Sequence, residues 1–559
     1  MEKSEQAKKN FEEGIKFFQT KDFKQAQIYF EKTLEDAPNS SPTLENLSKS
    51  YLETRDYNKA EKILKYFISL EKEDDQIAYE LLYYIYSSLN KYWELKELTK
   101  KAIERKKFDK SKILQAKLFY PNFFSSEEEV KKIREDFTMK IEKLAKEFNL
   151  ESLDLSSNLL KPINFELSYD GYDNLKINKN LNEIYKKIYP ELQSFGTSTN
   201  YSNKKIKIGF ISQFFSNHTI MMFFKGLIYK INKDIFDVYV FHSNFTLPSA
   251  EFTEINESAV LYGHQNIILS SNFKEKVIEI KSKNLDILFY PDIHMSTNLY
   301  YLTMLRLAKC QITSWGHPET TGNNNIDYFL SSKLLETKEC EKKYSENLIL
   351  SEYLPMYFYE PKVTKKISLE ELNNKNLYSC TQSLFKIHPS FDLVIKKILQ
   401  KDRKAKIIFF KDRKDILSKM YYERLKKIIP ENIDRIKFLE RLKPEEFINH
   451  CGKTSVLLDT FWFGSGNTFM KSMYYGTPTV TKPTSYLRGR IVAGAYKQMK
   501  IDEAPVVNNI DDYIDKCVEL ANKNILDLKM YYKEQAYKHL FENYKAVKDL
   551  ENIFKSLVD

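Results

Sequence analysis

Hydrophobic and polar positions follow two different patterns along the chain, and the change comes near Lys205. Before it the pattern is mostly helical, repetitive up to about residue 110 and without a clear period from 111 to 203. After it, short apolar runs rich in β-branched and aromatic residues alternate with helical segments, which predicts parallel strands in α/β layers. We therefore expect an all-α region followed by an α/β region.

The helical region repeats itself. The segment 21–26 recurs at 55–60, a shift of 34 residues, and a weaker third copy begins at Lys91 with one residue inserted. In the first two copies an aromatic residue precedes a small alanine by three positions, and Pro38 stands where a repeat would end. This period and spacing resemble tetratricopeptide repeats. An unrelated helical bundle is the alternative.

The α/β region contains two sets of predicted strands. The first set lies at 206–212, 236–241, 266–269, 285–290 and 311–315, and the second at 377–381, 405–410, 435–439, 456–458, 479–481 and 505–507. Two doubly wound units in tandem place a ligand in the cleft between them, at the carboxyl ends of strands. The predicted domains are repeats at 1–110, a helical linker at 111–203 and Rossmann-like units at 204–361 and 362–559.

One loop of the second unit predicts a particular ligand. Gly464, Ser465, Gly466, Asn467 and Thr468 follow an apolar strand and precede a short helix. Such a loop offers backbone N–H groups without bulky side chains, and the helix start adds partial positive charge, which suits a phosphate. No Gly-Lys-Ser/Thr follows, so this is not a nucleoside-triphosphatase loop. The pyrophosphate of a sugar-nucleotide donor fits better.

Composition narrows the class of protein. At 559 residues we expect three or four domains, and 42% apolar residues suffice for packed cores. Five cysteines, odd in number and far apart, indicate reduced thiols in a cytoplasmic protein. We expect neither a membrane span nor a secretory signal. Acids and lysines are interspersed despite the net charge of +10, which makes nucleic-acid binding the less favoured interpretation.

Five motifs together resemble the family of tetratricopeptide-linked O-GlcNAc transferases, glycosyltransferase family 41, with its plant SPINDLY-type and bacterial N-glucosyltransferase branches. They are 209–218 (ending Asn217-His218), 315–322 (Trp-Gly-His-Pro-Glu-Thr-Thr-Gly), 382–389 (Gln-Ser-Leu-Phe-Lys-Ile-His-Pro), 476–478 and 488–495. The resemblance implies an α/β GT-B fold, two Rossmann-like units, after an all-α tetratricopeptide-type region. The second unit would then bind the nucleotide sugar.

The resemblance also implies two catalytic candidates. Lys386 would stabilise the departing nucleoside diphosphate, which gains negative charge as the glycosidic bond breaks. His218 stands where the family has Asn-His-Pro, with Thr219 replacing the proline. Its imidazole could act as general base or hold the acceptor or the sugar. A structural histidine and a solvated lysine are the plain alternatives.

Further residues are implied to line the substrate site. Gln382 belongs to the lysine motif, and Ser465, Gly466, Asn467 and Thr468 would bind the diphosphate. His294 would line the sugar or the acceptor, although the family's neighbouring Asn-Gly is absent, and His317 would shape the cleft floor. Phe447 stands where relatives stack a histidine on the base, or belongs to the core. Arg490 would lie on the acceptor side or be structural.

Lys471 departs from the family pattern. Relatives carry there an acid that hydrogen-bonds the ribose, and a charged lysine accepts no hydrogen bond. Either the ribose is held differently, with Lys471 on a phosphate, or donor preference has changed.

The leading hypothesis is an inverting, metal-independent transfer of GlcNAc or another hexose from a UDP-sugar to protein Ser/Thr, with the repeats binding the acceptor. The donor is a co-substrate, and no resident cofactor or metal is expected. The alternatives are an Asn-directed N-glucosyltransferase, a catalytically inactive repeat scaffold and a GT-B enzyme acting on lipid or glycan.

Overall fold

A computed structural model describes residues 2–147, 150–156, 159–196, 204–216, 218–242 and 249–558, and the chain divides after Pro121 into two units. Asn217, which belongs to the motif at 209–218, lies outside the described residues.

The first unit consists of consecutive helices that pack in sequence order. They are α1 (Glu2–Gln19), α2 (Phe23–Asp36), α3 (Ser41–Glu53), α4 (Tyr57–Ser69), α5 (Gln76–Ser88), α6 (Tyr92–Glu104) and α7 (Lys110–Lys117). Lys21, Arg55 and Asn90 each adopt a left-handed backbone before α2, α4 and α6, with φ of 62°, 60° and 56°. Ala26 and Ala60 are fully buried. The repeat predicted from sequence is therefore present, including the inserted residue of its third copy.

Two long helices open the second unit, α8 (Glu127–Lys146) and α9 (Leu175–Ile188). Ser126 caps α8 by accepting a hydrogen bond from the Glu129 amide at 3.1 Å. A 3-10 turn, Glu166–Tyr169, lies between the two helices.

A seven-stranded parallel sheet follows, in the order β3-β2-β1-β4-β5-β6-β7. Its strands are β1 (Ile206–Ser212), β2 (Phe236–His242), β3 (Gln265–Ile268), β4 (Ile287–Tyr290), β5 (Cys310–Ser314), β6 (Tyr328–Ser332) and β7 (Asn347–Ser351). The helices among them are α10 (Thr219–Lys230), α11 (Ser249–Tyr262), α12 (Phe273–Lys281) and α13 (Thr297–Leu302). The first five strands match the sequence prediction, whereas β6 and β7 were not predicted.

The second sheet has five parallel strands in the order β10-β9-β8-β11-β12. They are β8 (Leu377–Ser379), β9 (Lys406–Phe410), β10 (Ile436–Leu439), β11 (Val456–Leu458) and β12 (Thr479–Val480). Its helices are α14 (Leu369–Leu372), α15 (Ser390–Lys401), α16 (Ile416–Ile428), α17 (Pro444–Lys453), α18 (Asn467–Ser472), α19 (Ile491–Gln498), α20 (Ile510–Asn522), α21 (Leu526–His539) and α22 (Tyr544–Ser556). The strand predicted at 505–507 was wrong: only one bridge, Thr481 to Val506, forms there.

Each sheet has its own hydrophobic core, but the end of the chain joins the first. Val547, Leu550 and Phe554 of α22 pack in the core of the seven-stranded sheet. Asn232 donates its amide to Glu551 at 2.8 Å, and Ser351 donates to Asp549 at 2.6 Å. The chain thus crosses from the first sheet to the second and returns. Within the described chain, every helix is too short or too polar to cross a membrane.

Candidate active site

Loops that follow strands of both sheets meet at one place. His317, after β5, lies 6.2 Å from Phe463, after β11, measured between ring centroids. The topology accounts for this, because parallel strands bring their carboxyl-terminal loops to one edge of each sheet and the two edges face each other.

The loop 464–468 is held by Asp459, a residue that the sequence analysis did not single out. The buried Asp459 carboxylate accepts from the Ser465 amide at 2.6 Å and from the Thr481 hydroxyl at 2.7 Å. A side chain on Gly464 would approach this carboxylate to 3.0 Å. Burial raises the pKa of Asp459 to about 6. The glycine therefore permits the carboxylate to brace the loop from inside.

Not all amides of the loop are available for a phosphate. Ser465 donates to Asp459, and Gly464 donates to the Arg488 carbonyl at 2.7 Å. The amides of Gly466, Asn467 and Thr468 precede the first bond of α18, from Met470 to Gly466, and have no assigned acceptor within the described residues. The expectation of a loop with free N–H groups thus applies to its second half only.

Asn467 and Thr468 carry two further groups that lack partners. Asn467 Oδ1 and Thr468 Oγ1 are buried and make no hydrogen bond in the described part of the chain. The Asn467 amide group donates at 3.4 Å to Thr219 of the first sheet's unit. Thr219, which stands where the resembling family has proline, therefore contacts the loop 464–468 across the cleft.

Lys386 lies beside this loop. Its ammonium stands 4.3 Å from the centroid of the Phe463 ring and forms no ion pair with a described residue. Burial lowers the pKa of Lys386 to about 8, while the negative charge of Asp459 acts in the opposite direction. Gln382, four residues earlier, donates to Ser465 Oγ at 3.2 Å and to the Phe463 carbonyl at 3.3 Å. The lysine motif and the loop thus form one site.

His294 and His317 form a buried pair in the first sheet's unit. Their Nδ1 atoms are 3.0 Å apart, and His317 Nε2 lies 3.3 Å from the Ser168 hydroxyl. Burial lowers the pKa of His294 to about 3 and that of His317 well below its usual value, so both rings are neutral. His294 Nε2 has no partner among the described residues. His317 therefore does more than shape the floor, because it orients His294.

Helix α9 holds the loop that carries His317. Three buried asparagines spaced four residues apart donate to consecutive positions of that loop. Asn174 donates to the Glu319 carboxylate at 2.9 Å, Asn178 to the Thr320 carbonyl at 2.8 Å and Asn182 to the Thr321 carbonyl at 2.8 Å. The predicted linker thus supplies part of the site's support.

His218 lies at a second opening of the cleft. It lines a cavity of about 500 Å³ together with Met222 and Lys225 of α10 and with Lys471 of α18. Burial lowers the pKa of both His218 and Lys471. No described carboxylate pairs with Lys471, so the cavity contains a half-buried cation suited to an anion.

The ring of His218 has a defined orientation. His218 is the N-cap of α10, and its Nδ1 accepts from the Ile220 amide at 3.3 Å. Its ring stacks on Phe214, with centroids 4.4 Å apart. Because Nδ1 accepts, the neutral ring carries its proton on Nε2. In this state His218 presents a hydrogen-bond donor to the cleft.

Arg490 and Phe447, two further predicted site residues, make contacts with other parts of the protein. Arg490 donates to the Leu335 carbonyl at 2.5 Å and to the Thr484 carbonyl at 2.9 Å, which gives it a structural role between the two sheets' units. Phe447 on α17 is half-buried and packs against Phe410, with ring centroids 5.8 Å apart.

Curated proteins that are similar to this chain in sequence are named as glycosyltransferases. No protein-family model matches the chain. Over 385 residues it is 22% identical to a probable UDP-N-acetylglucosamine–peptide N-acetylglucosaminyltransferase SPINDLY of Solanum lycopersicum, covering 67% of this chain and 41% of that protein. Over 281 residues it is 24% identical to a UDP-glucose:protein N-beta-glucosyltransferase of Actinobacillus pleuropneumoniae, covering 48% and 44%. The chain spans about two fifths of the length of these curated relatives.

A solved structure matches over the whole chain. An O-GlcNAc transferase of Thermobaculum terrenum, solved as a point mutant, superposes with a TM-score of 0.66 at 14% identity, covering 100% of this chain and 98% of that chain. The predicted fold class, GT-B after tetratricopeptide-like helices, is thereby confirmed. The resemblance to O-GlcNAc transferase- and SPINDLY-like glycosyltransferases is confirmed as well.

Proposed function

We propose that this O-GlcNAc transferase- and SPINDLY-like chain transfers a hexose from a UDP-sugar to a protein side chain, with inversion and without a metal ion. The observation that carries the proposal is the Lys386 ammonium, which has no ion-pair partner in the described chain and lies against the loop whose amides at 466–468 are free. A bound diphosphate would supply an anion to pair with the Lys386 ammonium and oxygen acceptors for these amides.

The leaving group gains most from this arrangement. As the bond between the sugar and the diphosphate breaks, negative charge grows on the phosphate oxygens, and preorganised donors stabilise it more in the transition state than in the ground state. Lys386 and the three amides are such donors, and Asp459 fixes the loop that bears them. A charge-assisted hydrogen bond contributes about 1.5–3 kcal/mol, roughly a factor of 10 to 100 in rate.

His218 serves the acceptor or the sugar as a hydrogen-bond donor in this proposal. Its Nδ1 is occupied by the Ile220 amide, and burial keeps the ring neutral by lowering its pKa. A neutral ring with its proton on Nε2 cannot take another proton there. The structure thus favours the positioning role that the sequence left open beside the general base.

Lys471 belongs to the donor side of the cleft. It is on α18, one helical turn after Asn467, so the two side chains share a face of the helix. We assign its ammonium to the anionic part of the donor. This replaces the ribose contact that the family's acid would make.

The protein acceptor is assigned to the helical repeats. Their surface contains a groove of about 810 Å³ that carries the exposed indole of Trp93 and charged residues of both signs, with the buried Tyr79 and Tyr86 beneath it. An exposed aromatic side chain in a groove offers contact area at low entropic cost. Such a groove suits an extended protein segment.

Ser/Thr is the proposed acceptor residue, and Asn is the second candidate. The match to a UDP-glucose:protein N-beta-glucosyltransferase favours Asn, whereas the matches to peptide N-acetylglucosaminyltransferases favour the first assignment.

Intact-mass spectrometry tests the function. Candidate acceptor proteins are incubated with the full chain and, separately, with UDP-GlcNAc, UDP-glucose and UDP-galactose. A mass increase of one hexose or N-acetylhexosamine supports the proposal, and fragmentation identifies the modified residue. Calorimetry with UDP accompanies the assay, since an inactive scaffold is expected to show neither UDP binding nor a mass increase.

A further inference from the structure

Six rings form an aromatic cluster beside Lys386. Its members are Phe165, Tyr169, His294, His317, Phe385 and Phe463. Tyr169 is at its centre, with its ring centroid 5.0 Å from those of Phe385 and of Phe463. Phe463 also carries the Lys386 ammonium at 4.3 Å. Tyr169 therefore lies one ring away from the cation assigned to the leaving group.

The hydroxyl of Tyr169 has no partner. The residue is 2% exposed, and its oxygen makes no hydrogen bond within the described chain. Burial raises the pKa of Tyr169 well above its usual value, so the group is a neutral donor at all physiological pH values. A buried donor without an acceptor lowers stability, because its lost hydration is not replaced. Such groups are rare in native structures and call for an explanation.

A second orphaned polar atom lies in the same cluster. His294 Nε2 is buried without a partner among the described residues, while its Nδ1 is held by His317. Two buried polar atoms without partners in one aromatic cluster are consistent with a ligand that forms hydrogen bonds to them.

The backbone around Tyr169 is fixed in place. It ends the 3-10 turn Glu166–Tyr169, and the following Asp170 accepts from Arg134 at 2.9 Å. Gly171 has φ of 85° and faces Trp462, where a Cβ would come within 2.8 Å of the indole ring. This close approach docks the turn onto the loop after β11. The phenol is therefore placed before any ligand binds, which limits the entropy lost on binding.

We propose that Tyr169 binds the transferred sugar, donating its hydroxyl to a sugar oxygen beside the aromatic cluster. The inference rests on the proposed function. The diphosphate already has cationic and amide donors, whereas a neutral phenol flanked by apolar rings matches a neutral sugar, whose hydroxyls need hydrogen bonds and whose C–H faces pack on aromatic surfaces. Tyr169 thus becomes a specificity-determining residue from outside both Rossmann-like units.

The substitution Tyr169→Phe tests this directly because it removes one oxygen atom. We expect kcat/KM for the UDP-sugar to fall 10- to 100-fold, and calorimetric affinity for the UDP-sugar to weaken, while affinity for UDP stays within twofold. The melting temperature is expected to remain equal or to rise, because an orphaned buried hydroxyl is removed.

Tyr290→Phe is the matched control. Tyr290 is fully buried on β4 and its hydroxyl also lacks a partner in the described chain, but it lies outside the aromatic cluster. We expect this variant to keep wild-type kcat/KM.

Three results would overturn the inference while leaving the proposed function intact. They are an unchanged kcat/KM in Tyr169→Phe, an equal loss of UDP affinity, which assigns the phenol to the diphosphate, and a melting temperature lowered by several degrees, which reveals a structural partner. A wild-type chain that binds no UDP and transfers no sugar would instead refute the proposed function itself.

Discussion

The ammonium of Lys386 is held over an aromatic ring and not against a carboxylate. Cation–π contact stabilises the charge without neutralising it, so the lysine keeps its capacity to pair with an incoming anion. Burial lowers the pKa of this lysine to about 8, close to working pH. The residue is thus a cation whose charge depends on pH in the range where enzymes are assayed.

This pKa predicts the pH dependence of transfer. The protonated lysine is the active form, so kcat/KM for the donor is expected to fall about tenfold per unit as pH rises above about 8. The corresponding fall in kcat is expected at higher pH, because a bound diphosphate raises the pKa of Lys386. Steady-state kinetics from pH 6.5 to 10 measures both. A flat kcat/KM profile would contradict the assignment.

Lys386→Arg and Lys386→Ala separate charge from position. Arginine stays charged over the whole range, so its variant is expected to lose the limb near pH 8 while keeping part of the activity. Lys386→Ala is expected to lower kcat about 10- to 100-fold with a smaller change in UDP affinity. Equal turnover in the alanine variant would remove this lysine from the site.

Asp459→Asn tests the brace beneath the loop. Loss of its negative charge lowers the pKa of Lys386 further, so the kcat/KM limb is expected to move to lower pH. Burial raises the pKa of Asp459 to about 6, above its unfolded value near 3.8. Its contribution to stability is therefore fully present below about pH 4 and is lost as pH rises through 6. Relative to wild type, the asparagine variant should gain melting temperature as pH rises from about 4 to about 6, and the difference should stay constant above that.

His218→Asn distinguishes donation from proton transfer. Asparagine caps helices well and offers an N–H donor, but it cannot act as a base. If His218 only donates, this variant is expected to retain measurably more activity than His218→Ala, with UDP affinity unchanged in both. Equal loss of turnover in the two variants would favour the general base instead.

At the scale of single residues, the sequence predicted site residues only where they belong to a recognisable motif. Lys386 and the loop at 464–468 were predicted to share a ligand, and they lie together. Asp459 and Tyr169 were missed, because their importance comes from contacts between distant segments. An aspartate that ends a strand before a Gly-Ser-Gly loop was the one local signal available for Asp459.

Helix α9 shows how an element outside the two sheets shapes the site. Asn174, Asn178 and Asn182 follow one another every fourth residue and therefore share one face of the helix. Gly322 ends the loop they hold with φ of 69°, and a Cβ there would come within 2.4 Å of the Asn178 backbone. The helix and the loop pack closely because the asparagine side chains donate hydrogen bonds to the loop and because Gly322 has no side chain to collide with the helix backbone.

Asn178→Ala is expected to cost stability and turnover together. The side chain is buried, donates to Thr320 and accepts from Asn164 at 2.9 Å, so its loss leaves polar groups unpaired at a cost of about 1–3 kcal/mol. Chemical denaturation measures the first effect and kcat the second, since the loop orients His317 and through it His294. Asn180→Ala, on the same helix and half-exposed, is the control, with an expected change within about 0.5 kcal/mol.

Elements were predicted best where composition and pattern agree. The strand β1 is a run of apolar and β-branched residues and was located to the residue. The segment 505–507 contains two β-branched residues but forms a single bridge, because Pro505 lacks the donor that a ladder needs. The strands β6 and β7 were missed since Ser331, Ser332 and Asn347 interrupt their apolar pattern. The asparagine face of α9 was visible in sequence, but its partner is about 140 residues away.

At the scale of the whole molecule, the division into two compact units predicts that the second unit folds without the first. The helical repeats have a core of their own, and residues 122–559 contain the cores of both sheets. A fragment of residues 122–559 is therefore expected to fold and to bind UDP with an affinity within about twofold of the full chain. Its transfer to protein acceptors is expected to fall at least tenfold, because the proposed acceptor groove is absent. Calorimetry and mass spectrometry measure these effects, and undiminished protein modification would exclude the repeats from acceptor binding.

The return of α22 to the first sheet has a mechanical consequence. Lobes joined by one strand of chain can swivel freely, whereas lobes joined at two crossings rotate about the axis that passes through both. Lys386 and the loop 464–468 belong to the lobe of the second sheet, and the pair His294 and His317 belongs to the lobe of the first sheet. Opening and closing of the cleft should therefore be a hinge rotation about a single axis, which returns the same residues of the two lobes to contact at every closure.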